Sequence, residues 1–220
     1  MLKKEFLDNG IEIYQDDSLY CFTSDSILLS KFTKVKFNDT VADFCAGSGV
    51  VGFNLYALNK EAIKSVTLFE LQKEMFDLNK KSIEENNLEN KFFSVNCRLQ
   101  DLPSEYHGKF SLITCNPPYM PKNAGLMEEN ENIAVAKTEL KLSLEELVTA
   151  IDKGLKFGGR VNIVHRADRL IEVICELKKH KIEPKKLQFV SAKNKEPYLF
   201  LMEAVKGGKS GLKVLNNLIN

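Results

Sequence analysis

The feature that most constrains the fold is a glycine-rich turn between an apolar strand and a helix. The run Gly47-Ser48-Gly49-Val50-Val51-Gly52 follows the mostly apolar residues 41–45 and lies at the start of a helix predicted for 48–58. Glycine permits the tight turn and lets the backbone approach a ligand closely. Taken alone, the G-x-G-x-x-G pattern fits a dinucleotide-binding enzyme, a methyltransferase or a plain strand–helix turn.

The rest of the chain alternates short β-rich apolar runs with longer amphipathic runs. This alternation predicts strands at 41–45, 65–70, 91–97, 110–115 and 160–165, and helices at 48–58, 72–87, 142–155 and 168–180. The last two strands, 187–191 and 198–205, have no helix between them and should pair antiparallel. We therefore expect an α/β fold with a Rossmann-like open sheet, mostly parallel, a C-terminal antiparallel hairpin and helices on both faces.

The composition of the 220 residues is that of a globular protein, with 44% apolar and 28% charged residues. The length suits a single domain, 1–220, in which residues 1–35 form an extension before the sheet. We expect no membrane span and no secretory signal, because no apolar run is long enough. Five cysteines without a CxxC pair indicate free thiols, no metal site and a cytoplasmic location.

Basic residues are concentrated in the last third of the chain. Residues 153–220 hold 15 Lys/Arg and 6 Asp/Glu, although the net charge of the whole chain is only +1. Such a segment either binds a polyanion or forms a solvated lysine surface, and charge alone does not choose between the two.

Two acids accompany the glycine turn. Asp43, near the end of the first sheet strand, would repel a pyrophosphate but suits a cationic ligand such as S-adenosylmethionine. Glu70 ends the next strand, 23 residues after Gly47, and can accept hydrogen bonds from the ribose hydroxyls of an adenosine. Since Glu70 suits a dinucleotide equally well, it supports an adenosine ligand without choosing the cofactor.

A second motif, Asn116-Pro117-Pro118-Tyr119, follows the apolar strand 110–115. The two prolines stiffen the loop and remove two backbone donors, which leaves carbonyl groups free to accept. The side chain of Asn116 and the carbonyl of Pro117 can hold the N–H groups of an amine so that its lone pair faces a methyl donor. The ring of Tyr119 can stack on an extruded base. The alternative is a turn with an ordinary hydrophobic tyrosine.

Together with Asp43, Gly47 and Gly49, the Asn-Pro-Pro-Tyr segment resembles the class I amino-methyltransferases. Three longer stretches, 23–29, 164–170 and 203–213, resemble the bacterial tRNA(Val) adenine-37 N6-methyltransferases, and the resemblance spans about residues 20 to 215. It implies a class I methyltransferase fold, S-adenosylmethionine as cofactor, and N6 of the tRNA adenosine beside the anticodon as methyl acceptor.

The resemblance also implies roles for individual residues. The catalytic segment would be Asn116, Pro117, Pro118 and Tyr119. The cofactor would be held by Ser24, Asp25, Asp43, Ala46, Gly47, Ser48, Gly49, Glu70, Leu71, Cys97, Arg98 and Asn116. In two places the chain departs from its relatives. Arg98 stands where relatives often carry an acid, so either Asp101 or a backbone N–H would contact the cofactor's adenine. Residues 136–139 replace an Arg-His-Glu run.

The expected RNA contacts lie on three segments. His165, Arg166 and Arg169 follow the fifth strand, where they either contact phosphates or form a helix-start cluster with Asp168 and Glu172. Lys206, Lys209 and Lys213 surround three glycines near the C-terminus. Lys122, after the Asn-Pro-Pro-Tyr segment, completes the set.

Three other functions remain open at this point. The same four-residue segment could present a protein glutamine amide for N5-methylation. An NAD-dependent oxidoreductase is disfavoured by Asp43, and a non-catalytic RNA-binding module is disfavoured by the intact motifs. The sequence gives no expectation about oligomeric state.

Overall fold

A computed structural model describes residues 2–7, 10–19, 24–118 and 142–220 of the chain. The strands are β1 (Leu2–Phe6), β2 (Glu12–Asp16), β3 (Asp39–Phe44), β4 (Ile63–Glu70), β5 (Phe92–Asn96), β6 (Phe110–Cys115), β7 (Leu155–Arg166), β8 (Ile182–Ser191), β9 (Pro197–Lys206), β10 (Lys213–Val214) and β11 (Leu218–Ile219). The helices are α1 (Ser24–Phe32), α2 (Val50–Leu58), α3 (Lys73–Glu85), α4 (Leu144–Gly154) and α5 (Leu170–Lys179). Tyr119, Lys122 and residues 136–139, singled out in the sequence, lie outside the described residues.

Among the residues that the structure describes, nine strands form the central sheet in the order β10-β8-β9-β7-β6-β3-β4-β5, with β11 also paired to β8. Strands β3 to β7 are mutually parallel, and β9 runs antiparallel between β7 and β8. The predicted α/β sheet with its C-terminal antiparallel hairpin is therefore confirmed. The chain moves from β3 outward to β4 and β5, then returns to β6 on the other side of β3. Such a reversal of strand order leaves a crevice at the carboxyl ends of β3 and β6.

Both faces of the sheet are covered, which explains the nearly continuous apolar strands. Ala42, Phe44 and Ile113 belong to the core under α4 and α5. Val41 and Leu68 belong to the core under α2 and the N-terminal hairpin. Strand β3 thus sends alternate side chains into two different cores, and all but one of its six residues are buried.

The structure differs from the predicted elements at several boundaries. Between β5 and β6 the described chain forms only the one-turn helices Leu99–Asp101 and Ser104–Tyr106. The helix predicted from 168 begins as another such turn, Ala167–Arg169, before α5. The glycines at 158 and 159 do not end a helix, because α4 stops at Gly154 and Leu155 already pairs with Phe110 in the sheet.

Short strands at both ends of the chain were not predicted. Strands β1 and β2 form a hairpin inside the segment expected to be an extension. Strands β10 and β11 run parallel to β8 along the outer edge of the sheet, so the last residues return to the carboxyl edge. There Nδ2 of Asn220 donates to Oγ of Ser24 at 3.2 Å and to the hydroxyl of Tyr198 at 3.0 Å. The C-terminal tail therefore reaches the first residue of α1. The division of the chain into domains stays a prediction.

A buried ion pair ties three strands together near the amino edge of the sheet. Nη2 of Arg160 on β7 lies 2.5 Å from Oδ2 of Asp39 on β3, and both side chains are about nine-tenths buried or more. The same carboxylate accepts from Ser111 Oγ on β6 at 2.7 Å and from the backbone N–H of Lys36 at 2.7 Å. Nη1 of Arg160 donates to the carbonyl of Lys34. This cluster sets β3, β6 and β7 in register at the end opposite the crevice.

We expect Arg160→Leu to lower the free energy of unfolding by about 3–5 kcal/mol, because the change leaves Asp39 as a buried carboxylate without its cation. Urea unfolding at pH 7 measures this loss. The control is Lys193→Ala at an exposed position, which should change stability by less than about 0.5 kcal/mol. A loss below about 1 kcal/mol for Arg160→Leu would show that Ser111 and the N–H of Lys36 suffice for Asp39.

Candidate functional site

A cavity of about 930 Å³, counting the space open to solvent at its mouth, lies at the carboxyl ends of β3, β4, β5 and β6. It is lined by the loops that follow these strands, together with α1 and the first turn of α2. The lining residues are Ser26, 45–48, Val50, Val51, 69–72, Met75, 97–100, Asn116, Pro118 and Leu142. The structure thus brings together nine of the predicted site residues: Ala46, Gly47, Ser48, Glu70, Leu71, Cys97, Arg98, Asn116 and Pro118.

The glycine loop requires glycine at two positions for different reasons. Gly47 has a φ of +56°, and a Cβ there would meet nothing within 4 Å, so only the backbone conformation selects glycine. Gly49, at the N-cap of α2, has a φ of +80°. A Cβ at Gly49 would lie 2.8 Å from Oδ1 of Asn79 and 2.8 Å from the ring of Phe53. Conformation and packing together therefore exclude other residues at position 49.

Glu70 holds this loop from the end of β4. Its Oε2 accepts from the backbone N–H of Gly47 at 2.7 Å, and its Oε1 accepts from the N–H of Gln72 at 2.7 Å. Burial raises the pKa of Glu70, and the backbone N–H donors oppose that shift. Each carboxylate oxygen has two lone pairs. Glu70 can therefore hold the loop and still accept from the hydroxyl groups of a ligand in the cavity.

Asp43 does not line the cavity, contrary to the expectation that it faces a cationic ligand. Its side chain lies under α2, where Oδ2 accepts from the N–H of Gly52 at 3.1 Å and Oδ1 accepts from Oγ1 of Thr114 at 2.8 Å. Burial raises the pKa of Asp43 to about 7, and the charge of Glu70 adds to this shift. Asp43 therefore joins α2 to β3 and β6. Direct contact between Asp43 and a cofactor stays a prediction.

Asn116 is oriented by a residue that the sequence analysis did not select. Nδ2 of Asn116 donates to Oγ of Ser26 on α1 at 3.0 Å, and both residues line the cavity. The selected residues of α1 were Ser24 and Asp25, and neither lines the cavity. Helical spacing could have identified Ser26, because it lies three residues before Leu29 and therefore on the same buried face of α1.

Two contacts were predicted for the cofactor's adenine, the side chain of Asp101 or a backbone N–H of the same segment. Asp101 is exposed and outside the lining residues, whereas Arg98, Leu99 and Gln100 line the cavity. A backbone N–H of this segment is therefore the remaining candidate.

His165 is unsuited to the expected phosphate contact. It is 1% exposed, its ring stacks on Phe200 with centroids 6.2 Å apart, and Nδ1 accepts from the N–H of Arg166 at 2.9 Å. Burial and the nearby arginines lower the pKa of His165 to about 4, so the ring is neutral at pH 7. Arg166 pairs with Asp168 and Arg169 pairs with Glu172, which is the helix-start cluster considered as the alternative.

The three C-terminal lysines lie apart from the cavity. Because β9 is antiparallel to the rest, Lys206 at its end lies opposite Ile182 at the start of β8, on the amino edge of the sheet. Nζ of Lys206 is 2.8 Å from Oδ1 of Asp152. The carbonyl of Lys209 accepts from Nζ of Lys185, and Lys213 is exposed on β10. Contact of these lysines with RNA stays a prediction, and Lys206 has a structural ion pair.

Within 2–7, 10–19, 24–118 and 142–220, no helix is long and apolar enough to cross a membrane. The same residues contain no cluster of three or more His, Cys, Asp or Glu side chains that could hold a metal ion. Cys45, Cys97, Cys115 and Cys175 are free thiols.

We expect Asp43→Asn to change how stability depends on pH. The carboxyl group has an ordinary pKa of 3.8 and a native pKa of about 7. The native state therefore binds more protons than the unfolded state between these values, and wild-type stability falls as the pH rises through this range. Relative to wild type, the variant should gain about 1–4 kcal/mol between pH 4 and pH 8. Urea unfolding of both proteins at each pH measures the difference, and a pH-independent difference would contradict the expectation.

We expect Glu70→Gln to weaken S-adenosylmethionine binding by about 1.5–3 kcal/mol, or about 10- to 150-fold, because the amide is uncharged and replaces one acceptor oxygen with a donor NH₂ group. Isothermal titration measures this. The matched control is Glu74→Gln on the exposed side of α3, which should bind as wild type does. Equal affinity for Glu70→Gln and wild type would remove Glu70 from the ligand site.

Curated relatives of the chain carry a consistent name. The chain is 24% identical over 156 residues to the tRNA1(Val) (adenine(37)-N6)-methyltransferase of Dyadobacter fermentans, a match that covers 71% of this chain and 62% of that protein. It is 27% identical over 153 residues to the enzyme of the same name from Shewanella putrefaciens, covering 67% and 62% of the two chains. The chain thus spans about three fifths of the length of these relatives.

Solved structures confirm the class I methyltransferase fold. A predicted O-methyltransferase from Agrobacterium tumefaciens superposes with a TM-score of 0.69 at 18% identity, covering 89% of this chain and 86% of that one. Methanocaldococcus jannaschii Trm5, solved with adenosine, superposes with a TM-score of 0.65 at 16% identity, covering 94% and 57%. At these identities the likeness shows the fold alone.

A family model matches most of the chain. The model described as "Methyltransferase small domain" matches residues 22–182, a stretch that begins before α1 and ends at the start of β8. It includes the glycine loop, Glu70 and the Asn-Pro-Pro-Tyr segment. Since the match takes in well over half of the chain, the protein belongs to the methyltransferase small domain family.

Proposed function

We propose that the protein transfers a methyl group from S-adenosylmethionine to N6 of an adenosine in tRNA, with position 37 of tRNA(Val) as the acceptor. The observation that carries this proposal is the position of Asn116 and Pro118 in the wall of the same cavity as Glu70 and the glycine loop. An amide acceptor for an amine and an acid acceptor for a ribose are thereby set in one site.

The chemistry of the cavity fits the proposed cofactor. Glu70 supplies acceptors for the ribose hydroxyls, and the apolar side chains of Leu71, Met75 and Leu99 supply a surface for a purine. Oε1 of Gln72 is buried and has no hydrogen-bond partner among the described residues, so a donor on a ligand would satisfy it. The open backbone of Gly47 allows the amino-acid part of the ligand to approach closely.

S-adenosylmethionine, when bound, supplies an electrophilic methyl group. The chain's own residues act on the acceptor. The side-chain carbonyl of Asn116 and the backbone carbonyl of Pro117 accept the two N–H groups of the adenine amine, which directs the nitrogen lone pair out of the ring plane. Pro117 and Pro118 keep the loop stiff because their φ angles are fixed. Tyr119, outside the described residues, would stack on the extruded base.

The acceptor is proposed from the relatives and from the motif together. Both relatives described above are named for adenine 37 of tRNA1(Val). An exocyclic adenine amine is the group that the Asn-Pro-Pro-Tyr segment would hold, and a tRNA acceptor places the reaction in the cytoplasm. The anticodon loop of tRNA is accordingly the partner that we propose for the mouth of the cavity.

The direct test is transfer of labelled methyl from S-adenosylmethionine to bulk tRNA, followed by digestion and nucleoside analysis. The proposal requires label in N6-methyladenosine. Label on N1 of adenine would overturn the role given to Asn116, and label in protein glutamine would replace the acceptor with an amide.

We expect Asn116→Ala to lower kcat by at least about 100-fold, the scale on which a preorganised hydrogen-bond partner of the reacting group is lost. The affinity for S-adenosylmethionine should change by less than about threefold, because the amide acts mainly as the amine reacts. Steady-state kinetics on tRNA and isothermal titration separate the two effects. Asn217→Ala, at an exposed position of the tail, is the matched control and should keep wild-type turnover.

A further inference from the structure

The side-chain amide of Asn116 has two ends of nearly the same shape and opposite hydrogen-bond character. Its carbonyl oxygen accepts and its NH₂ group donates. An amine held for methyl transfer presents N–H groups, so only the carbonyl end can hold it. A rotation of the amide by about 180° would set two donors against each other, so the site depends on a side chain that stays in the first arrangement.

An anchor for this side chain lies on α1. Oγ of Ser26 accepts from Nδ2 of Asn116 at 3.0 Å across 90 positions of sequence, and Ser26 is only 6% exposed. With its NH₂ end bonded to Ser26, the amide has its carbonyl end turned away from α1. A hydroxyl can donate as well as accept, so Ser26 acts as an anchor for the Asn116 side chain, and the arrangement in the structure leaves the carbonyl for the acceptor amine.

Helix α1 is itself held in place by other contacts. One turn beyond Ser26, Oγ of Ser30 accepts from Nδ2 of Asn54 on α2 at 2.7 Å and donates to the carbonyl of Ile27 at 2.8 Å. Leu29, which lies between Ser26 and Ser30 in the helix, is fully buried. At the start of the helix, Ser24 accepts from Asn220 of the C-terminal tail. Ser30 therefore fixes the helix on α2, whereas Ser26 uses that fixed helix to reach the cavity.

We propose that Ser26 is the positioning residue of the methyl-acceptor site, holding the amide of Asn116 with its carbonyl toward the acceptor amine. This inference rests on the proposed function in that Asn116 is taken as the residue that binds the amine. It predicts that removing the hydroxyl removes one contact that anchors the Asn116 side chain, which lowers the fraction of bound substrate in the reactive arrangement.

The test compares Ser26→Ala and Ser26→Thr with Ser30→Ala as the matched control. Ser26→Ala should lower kcat on tRNA by about 5- to 50-fold, the scale of losing one orienting hydrogen bond. KM and the affinity for S-adenosylmethionine should change by less than about threefold. Ser26→Thr keeps the hydroxyl and should recover most of the turnover. Ser30→Ala lowers stability but should keep kcat within about twofold of wild type, because Ser30 does not contact Asn116.

A second measurement follows the hydrogen bond without any turnover. The side-chain NH₂ signals of Asn116 in a ¹H–¹⁵N spectrum can be assigned by their loss in Asn116→Ala. They should shift in Ser26→Ala, stay near their wild-type positions in Ser26→Thr and stay unchanged in Ser30→Ala. Because the spectrum does not depend on turnover, it shows whether the hydrogen bond is lost even if Ser26→Ala lowers turnover for another reason.

The outcomes separate the two proposals. Wild-type turnover in Ser26→Ala, or a loss of turnover equal in Ser26→Ala and Ser30→Ala, would overturn the positioning role. If the wild-type protein forms no N6-methyladenosine, the proposed function fails and the spectra decide the inference alone. Shifted Asn116 signals in Ser26→Ala would then support the positioning role, and unshifted signals would overturn it.

Discussion

Two buried carboxylates on neighbouring strands hold the loop on which the rest of the site depends. Glu70 at the end of β4 accepts from the N–H of Gly47, and Asp43 on β3 accepts from the N–H of Gly52 in the first turn of α2. Burial raises the pKa of both groups, and the charge of Glu70 raises that of Asp43 further. Backbone and hydroxyl donors offset the free-energy cost of burying the two carboxylates, and they do so only while the loop keeps its conformation. The glycine loop and its acids therefore form one cooperative unit.

Segments outside the parallel part of the sheet complete the site. Helix α1 precedes the sheet in sequence, and the tail 207–220 follows its last long strand. The tail contacts Ser24, and Ser26, two residues further along α1, contacts Asn116. The central strands supply the position of the loops, and these flanking segments supply the orientation of the side chain that would meet the acceptor.

Several basic residues in the last third of the chain are paired with acids. Lys206 pairs with Asp152, Lys186 lies 2.8 Å from Glu203, and Lys178 pairs with Glu183. Several of the lysines therefore neutralise acids of their own segment or of α4. Since β9 reverses direction, the chain also carries Lys206 to the edge of the sheet opposite the cavity. A charge count along the sequence overstates the positive field that a polyanion would meet.

Local patterns in the sequence were sufficient for the main features. The alternation of apolar strands and amphipathic helices determined the α/β sheet and its antiparallel hairpin. The rule that ligands bind at the carboxyl ends of parallel strands determined that the glycine loop, Glu70, Cys97–Arg98 and Asn116 would meet. These inferences depend on periodicity and on the direction of strands, which a sequence contains. Strands β10 and β11, with two residues each, are too short to show a period. Strands β1 and β2, which lie in the segment expected to be an extension, were not predicted either.

Tertiary structure alone decided where individual side chains point. Asp43 and Glu70 are both acids near strand ends, yet only Glu70 lines the cavity, because α2 covers the face of β3 that Asp43 occupies. Ser26 rather than Ser24 or Asp25 reaches the site, because helix docking selects one face of α1. In each case the partner lies on another element of the fold, for Ser26 as far as 90 residues away. The sequence by itself determined which loops form the site, and only the packing of elements distant in sequence decided which side chains enter it.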